Sequence, residues 1–326
     1  MHTSLKTTHA LLFCLAVCLI KNVAYSQPAS TLHSQSIIDS GMMPQVFAPG
    51  VISTPFSEWS TSFTPGAKTV YSSQGAVYWT VVYSNMNNGK WMKPQIAPFS
   101  GKWRDTDPFV SPDGKKLFFS SDRPLEGTPQ DKPQKAFHLW YVELTAGDEW
   151  GAPRHIDSVV NENGKGNYAP SVSQRGTLYF CSRNRDGDSG MNSYCAEWLG
   201  DHYARPILVR FSGLSESQDP FIAPDERYIV FLSGSDLYIS YRNGKEWGVP
   251  ENLGPEVNDG SGNSSPYISA DEKTMYYSSA RIKGFYKRDY TKPALNYDEL
   301  AKEAGGLFNS DGNILMIPIH IKKAVQ

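Results

Sequence analysis

Very little in this chain carries a signature of reactive chemistry. Its 326 residues hold four cysteines, and two of them, Cys14 and Cys18, fall in the apolar N-terminal stretch. None of the seven histidines forms a His-x-x-x-His pair, and no Cys/His cluster has zinc spacing, so no zinc site is indicated. A Gly-x-Ser-x-Gly elbow is missing, as is a glycine-rich phosphate loop, which removes the commonest hydrolase and nucleotide-binding signatures. Charge of one sign is lacking too. The formal net charge of −2 argues against a general nucleic-acid binder. The one long apolar run, Ala10 to Ile20, is too short to span a bilayer, so no transmembrane segment is expected.

That run has the form of a secretory signal. Lys6 precedes it, and Ala24-Tyr-Ser26 satisfies the small-x-small cleavage rule, which predicts removal of residues 1–26 and a periplasmic or secreted protein. Residues 27–326 contain no low-complexity linker and read as a single domain. Cys181 and Cys195 remain after cleavage. They lie on neighbouring predicted strands, where they would either bridge in an oxidising compartment or sit as two buried thiols.

What is present is a repeat. Asp107–Ser121, Ala169–Ser182, Asp219–Ser233 and Ser265–Ser279 share one pattern, and Ser60–Ser73 is a degenerate copy. The closing serines at 73, 121, 182, 233 and 279 are spaced by 48, 61, 51 and 46 residues. Each copy has a short alternating strand, a turn such as Pro112-Asp-Gly114, and an aromatic, β-branched strand such as Leu117-Phe-Phe-Ser120. Third strands follow at Leu139–Val142, Ser193–Ala196 and Leu237–Ser240, and then a Trp-x-x-Pro element at Trp91, Trp150 and Trp247. The tryptophan is expected between sheets, with proline on the rim, where a missing N–H is tolerated. Four short strands per repeat make a β-propeller blade. The fold class is therefore all-β, a propeller of five blades, with six as the alternative. The last copy lacks an outer strand. Phe47–Val51 resembles Leu253–Val257, so the N-terminal segment is expected to complete that blade and close the ring. Asn296, Glu299 and Gly305 mark a short helix inserted in the last blade.

The Pro-x-[Val/Ile]-Ser-Pro-Asp-Gly string, clearest in Asp107–Arg123 and Gly244–Ser279, resembles the TolB-type, WD40-like propeller family found in secreted and periplasmic bacterial proteins. That resemblance implies the fold and is nearly silent on chemistry. Candidate site residues come from position. Starts of innermost strands and loops after second strands share one face of a propeller. That face should gather Ser60, Asp107, Ala169, Asp219 and Ser265, with Glu58, Asp105, Asn167, Ser217 and Asn263 two positions earlier and Arg123, Arg183 and Arg281 from the loops. The basic, aromatic stretch Arg281–Lys292, with Phe285, Tyr286, Lys287 and Arg288, is expected at its rim. Two functions fit. One is a non-catalytic binding propeller for a glycan, peptide or protein, with acidic or sulfated saccharides favoured by the basic groups. The other is a glycoside hydrolase or polysaccharide lyase, with Glu58, Asp107 and Asp219 as candidate catalytic carboxylates. For each ring residue the competing reading is structural, because Asp before Pro commonly accepts backbone N–H groups. No cofactor motif occurs. Asn184, Asp186 and Asp188 alternate as calcium ligands do, but the distal glutamate is absent, and a plain hairpin loop is the expected reading.

Overall fold

Each repeat folds into one antiparallel sheet. The computed structural model describes residues 36–75, 78–162, 164–187, 190–281, 291, 293–309 and 311–322. Among them are five sheets, three of four strands and two of five. Residues 1–26, expected to be a secretory signal, lie outside the described residues.

From axis to rim, the first blade holds Glu58–Phe63, Thr69–Gln74 and Thr80–Asn87, with Lys90–Trp91 and Gln95–Ile96 outside. The second holds Asp105–Val110, Lys116–Ser121, His138–Glu143 and Arg154–His155. The third holds Asn167–Val172, Leu178–Arg183, Met191–Ala196 and Ile207–Leu208. In the fourth are Gln218–Ile222, Tyr228–Ser233 and Asp236–Asn243, with Glu246–Trp247 and Glu251–Asn252 outside. The fifth takes Asn263–Ile268, Thr274–Ser279 and Asn313–Pro318 from the C-terminal part and Gln45–Val46 from the N-terminal part.

That last strand closes the ring, with Gln45 opposite Met316 and Val46 opposite Leu315. The paired residues precede the Phe47–Val51 segment, which enters the blade through its first amide. Phe47 N–H donates to the Ile314 carbonyl at 2.9 Å, as Leu253 donates to Leu237 at 3.1 Å in the fourth blade. The same bond recurs from Ala97 to Val81, Ile156 to Leu139 and Val209 to Ser193. All five donors are buried, so each blade seals its rim with one apolar residue and one backbone bond.

Turn chemistry fixes the hairpins. Ser111 Oγ donates to Asp113 at 2.6 Å and accepts from Lys116 N–H, while Gly114 takes a φ of 74°. Ser269 and Asp271 repeat the arrangement. The tryptophans pack as the repeat predicts. Trp150 Nε1 donates to the hydroxyl of Tyr71 in the preceding blade at 2.7 Å, and Trp247 lies edge-on to Tyr179 of the third blade. The helix Tyr297–Ala304 has the expected Asn296/Glu299 capping box and ends at Gly305. No helix among the described residues is long and apolar enough to cross a membrane.

The cysteine bridge does not form. Cys181 pairs with Ser193 and Cys195 with Tyr179, so the two thiols are diagonal rather than opposite, beyond the Cβ separation a disulfide needs. Both are free thiols.

Candidate functional site

The axis is lined by Ser60, Asp107, Ala169, Asp219 and Ser265, as the repeat predicts. All five non-glycine residues have left-handed backbones, with φ between 48° and 55°. At each, the pairing of first and second strands slips, which makes a bulge that aims the side chain at the axis. L-residues resist this conformation, and neighbouring blades hold it in place. Ser278 accepts from Ser60 N–H and Ser73 from Asp107 N–H, at 3.1 and 2.9 Å. Asp107 Oδ2 accepts from Ala169 N–H and Asp219 Oδ2 from Ser265 N–H, each at 3.0 Å. The two carboxylates therefore do for two blade junctions what serine hydroxyls do for two others.

Asp107 also accepts from Ser60, Thr106 and Ser120. The cavity between these side chains measures about 30 Å³, room for water and not for a sugar ring. Burial raises the pKa of Asp107, and it pushes Asp219 up to about 6, with the charge of Asp107 adding to the effect.

The second column does not reach the axis: Glu58, Asp105, Asn167, Ser217 and Asn263 are all buried. Glu58 lies under the N-terminal strap, accepting from Thr54 N–H and Oγ1, Gln74 and Asn313. Burial raises its pKa to about 7 against those bonds. Arg123 is buried and pairs with Asp105 at 2.7 Å, while Asp122 pairs with Arg104. Asn167 takes a hydrogen bond from Arg185. Arg281 pairs with Asp259 at 2.8 Å. Of the basic groups expected on this face, Arg183 alone is exposed with no side-chain partner among the described residues. Beside it the ring of Tyr168 folds over Gly166, where a Cβ would come within 2.8 Å of the ring. Phe285, Tyr286, Lys287 and Arg288 lie outside the described residues. So does Asp188. Its partners in the hairpin loop are engaged, Asn184 with Gly190 N–H and Asp186 with Arg205.

The large cavity is at the other end of the axis, on the face of the hairpin turns, which the sequence reading passed over. It measures about 390 Å³. Phe109, Phe221 and Tyr267 line both cavities and separate them. They stand two positions after the ring residues, and their centroids lie 5.2 to 6.5 Å apart. Phe63, Tyr228 and Tyr276 form walls, and Pro65, Pro112 and Pro224 stand at the turns. The two lining carboxylates, Asp225 and Glu272, are both paired to Arg227. The aromatic signal was present in the repeat, but only the closed ring shows that three copies converge.

No family model matches the chain, and no curated protein does. Solved structures share its fold. TolB from Acinetobacter baumannii is 15% identical with a TM-score of 0.45, the match covering 81% of this chain and 55% of that one. A putative TolB from Agrobacterium tumefaciens is 14% identical with a TM-score of 0.47, covering 82% and 92%. Its structural neighbours are TolB-type β-propellers. They also include an α-L-arabinofuranosidase from Lactobacillus brevis, 8% identical, with a TM-score of 0.51 and coverage of 88% and 94%. The chain spans about half the length of the Acinetobacter TolB. At such identities the likeness shows the fold alone.

Proposed function

We propose that this is an exported, non-catalytic binding propeller whose ligand enters the aromatic cavity on the turn face. The observation that carries the reading is that cavity, about 390 Å³ and walled by six aromatic rings, within the range of small-ligand sites. Its carboxylates are already paired, so the ligand is an uncharged ring: an apolar side chain of a peptide or protein partner, or a neutral sugar face. Export is supported by Lys6, the Ala10–Ile20 run and Ala24–Ser26. Glycosidase chemistry needs two carboxylates flanking a substrate-sized space. Asp107 and Asp219 instead flank about 30 Å³ and clasp backbone amides, and Glu58 is buried under the strap.

A second reading, recognition of acidic saccharides on the opposite face, is favoured by Arg183, which has no side-chain partner among the described residues and lies beside Tyr168.

The test is a screen of the mature protein against glycans, polysaccharides and a peptide panel, with reducing ends and ultraviolet-absorbing unsaturated products both followed. Capture without products, abolished by Ala270→Trp at the cavity mouth, is the expected result. Product release would overturn the non-catalytic reading. Capture lost in Arg183→Ala but kept in Ala270→Trp would move the site to the other face.

A further inference from the structure

One side-chain constellation is built in three blades and assembled in two. In the second blade, Arg123 folds back on its own sheet. Its Nε donates to Ser121 Oγ at 2.9 Å, and its Nη2 donates to Asp105 Oδ1 at 2.7 Å and to the Phe99 carbonyl at 3.0 Å. The guanidinium lies 4.7 Å from the ring centre of Phe119. The third blade repeats this. Arg185 donates through Nε to Ser182 at 3.3 Å and through Nη2 to Asn167 at 3.4 Å and to the Val160 carbonyl, over the ring of Phe180.

The fifth blade has every part. Asn263 stands opposite Ser279, as Asn167 stands opposite Ser182. Tyr277 takes the place of Phe119 and Phe180, and Arg281 follows Ser279 as Arg123 follows Ser121. The clamp is nevertheless open, because Arg281 Nη2 pairs with Asp259. Asn263 Oδ1, Ser279 Oγ and Arg281 Nε are left buried with no partner among the described residues, as is the Tyr277 hydroxyl. The first three are the atoms that are bonded in the other two blades.

We propose that Arg281 is a two-position latch, open on Asp259 as seen here and closed on Ser279 and Asn263 in a second state. Closing would satisfy three orphaned groups, each costly to leave buried and unpaired. It would release Asp259 into a solvent-facing loop, where its Oδ1 keeps a bond from Ser261 N–H at 3.1 Å, and partly exposed ion pairs hold weakly. The Val257 carbonyl already accepts from Asn263 Nδ2 at 2.8 Å and has a second lone pair for the incoming guanidinium. The latch sits in the blade that carries the closing seam. Its position decides whether the inner two strands of that blade are cross-braced as in the second and third.

The test uses the Nε–H of Arg281, assigned in the spectrum of the mature protein by its loss in Arg281→Lys. Asp259→Asn should move the arginine to the closed position and slow exchange of that proton about tenfold, the effect of one buried hydrogen bond. Its melting temperature should match or exceed that of the parent. Adding Ser279→Ala should abolish the protection. An unprotected Nε–H with a lowered melting temperature in Asp259→Asn would overturn the latch and leave a plain ion pair. Should that variant fail to fold, the parent itself serves. Rising sodium chloride screens the Asp259 pair and should slow the same exchange, and unchanged or faster exchange would overturn the proposal.

Discussion

The two ends of the axis are made from the same five strands and put their side chains to opposite uses. At the strand-start end, Ser60, Asp107, Asp219 and Ser265 are joined to neighbouring blades by hydrogen bonds and leave about 30 Å³. Two residues further along the same strands, Phe109, Phe221 and Tyr267 make the floor of about 390 Å³. Ser62 and Ser171 hold those positions in the first and third blades, where they accept from Val110 and Ile222 N–H. The larger cavity opens where aromatic rings replace groups that bond blade to blade. The carboxylates that looked most like chemistry are the ones most engaged in holding the ring.

Both ends depend on the seam, and breaking it should have the largest effect. Deleting residues 44–53 removes Gln45–Val46 and the buried Phe47 and Ile52. Stability should fall by roughly 4–6 kcal/mol in a denaturant titration, from the lost apolar cover of two large side chains and an exposed strand edge. An unchanged melting temperature would count against closure by this segment.

At the aromatic end, Phe221→Ala should cost about 3–4 kcal/mol as a large-to-small core change. It should also join the two cavities, visible as entry of a polar ligand that the intact floor excludes. If stability drops by less than 1 kcal/mol, as for a surface change, the floor is not packed.

The polar end separates by substitution type. Asp107→Ala strands the Ala169 amide and three hydroxyls and should cost roughly 1–3 kcal/mol. Asp107→Asn keeps an acceptor for that amide and should cost less than half as much. Equal losses in the two variants would mean that the charge, not the acceptor, is what the ring uses.

The effect of pH is comparable to that of Asp107→Ala but spread over several pH units. The folded pKa values of Glu58 and Asp219 are raised, to about 7 from 4.5 and to about 6 from 3.8. The folded state therefore binds more protons than the unfolded chain between those values. The stability these groups contribute is fully present below their ordinary pKa values and is lost as pH rises through the raised ones, by roughly 1–3 kcal/mol for each. Asp219→Asn should flatten the stability profile between the two Asp219 values and Glu58→Gln between the two Glu58 values. The burial-lowered pKa values of His138 and His155 add an opposing rise to the wild-type profile, so the difference profiles decide: a slope left unchanged by Asp219→Asn and by Glu58→Gln would contradict both.

Much of the fold was legible because its signals are local. The closing serines counted the blades, the Pro-Asp-Gly turns placed the hairpins, and Asn296 with Glu299 set the helix start. The Phe47–Val51 likeness to Leu253–Val257 found the seam, since both segments repeat one backbone bond. The candidate site was half legible. Position brought the ring residues together correctly, but strand alternation put Glu58 and Asp105 on the axis, and the bulges at Ser60 and Asp107 turn them into the body of the blades. Arg123 was expected on the open face, whereas sheet register places its Ser121 anchor opposite Asp105 and the guanidinium pairs with that buried carboxylate.

The sequence by itself determined everything that rests on neighbours along the chain: strands, turns, the helix cap and the period that repeats them. The tertiary structure alone decided which Phe and Tyr side chains face one another across the axis, which carboxylates reach the next blade's amides, and that Cys181 and Cys195 miss each other by one diagonal. Those outcomes depend on closing five sheets into one ring, where a shift of one or two residues exchanges the axis for the core and no local propensity registers the difference.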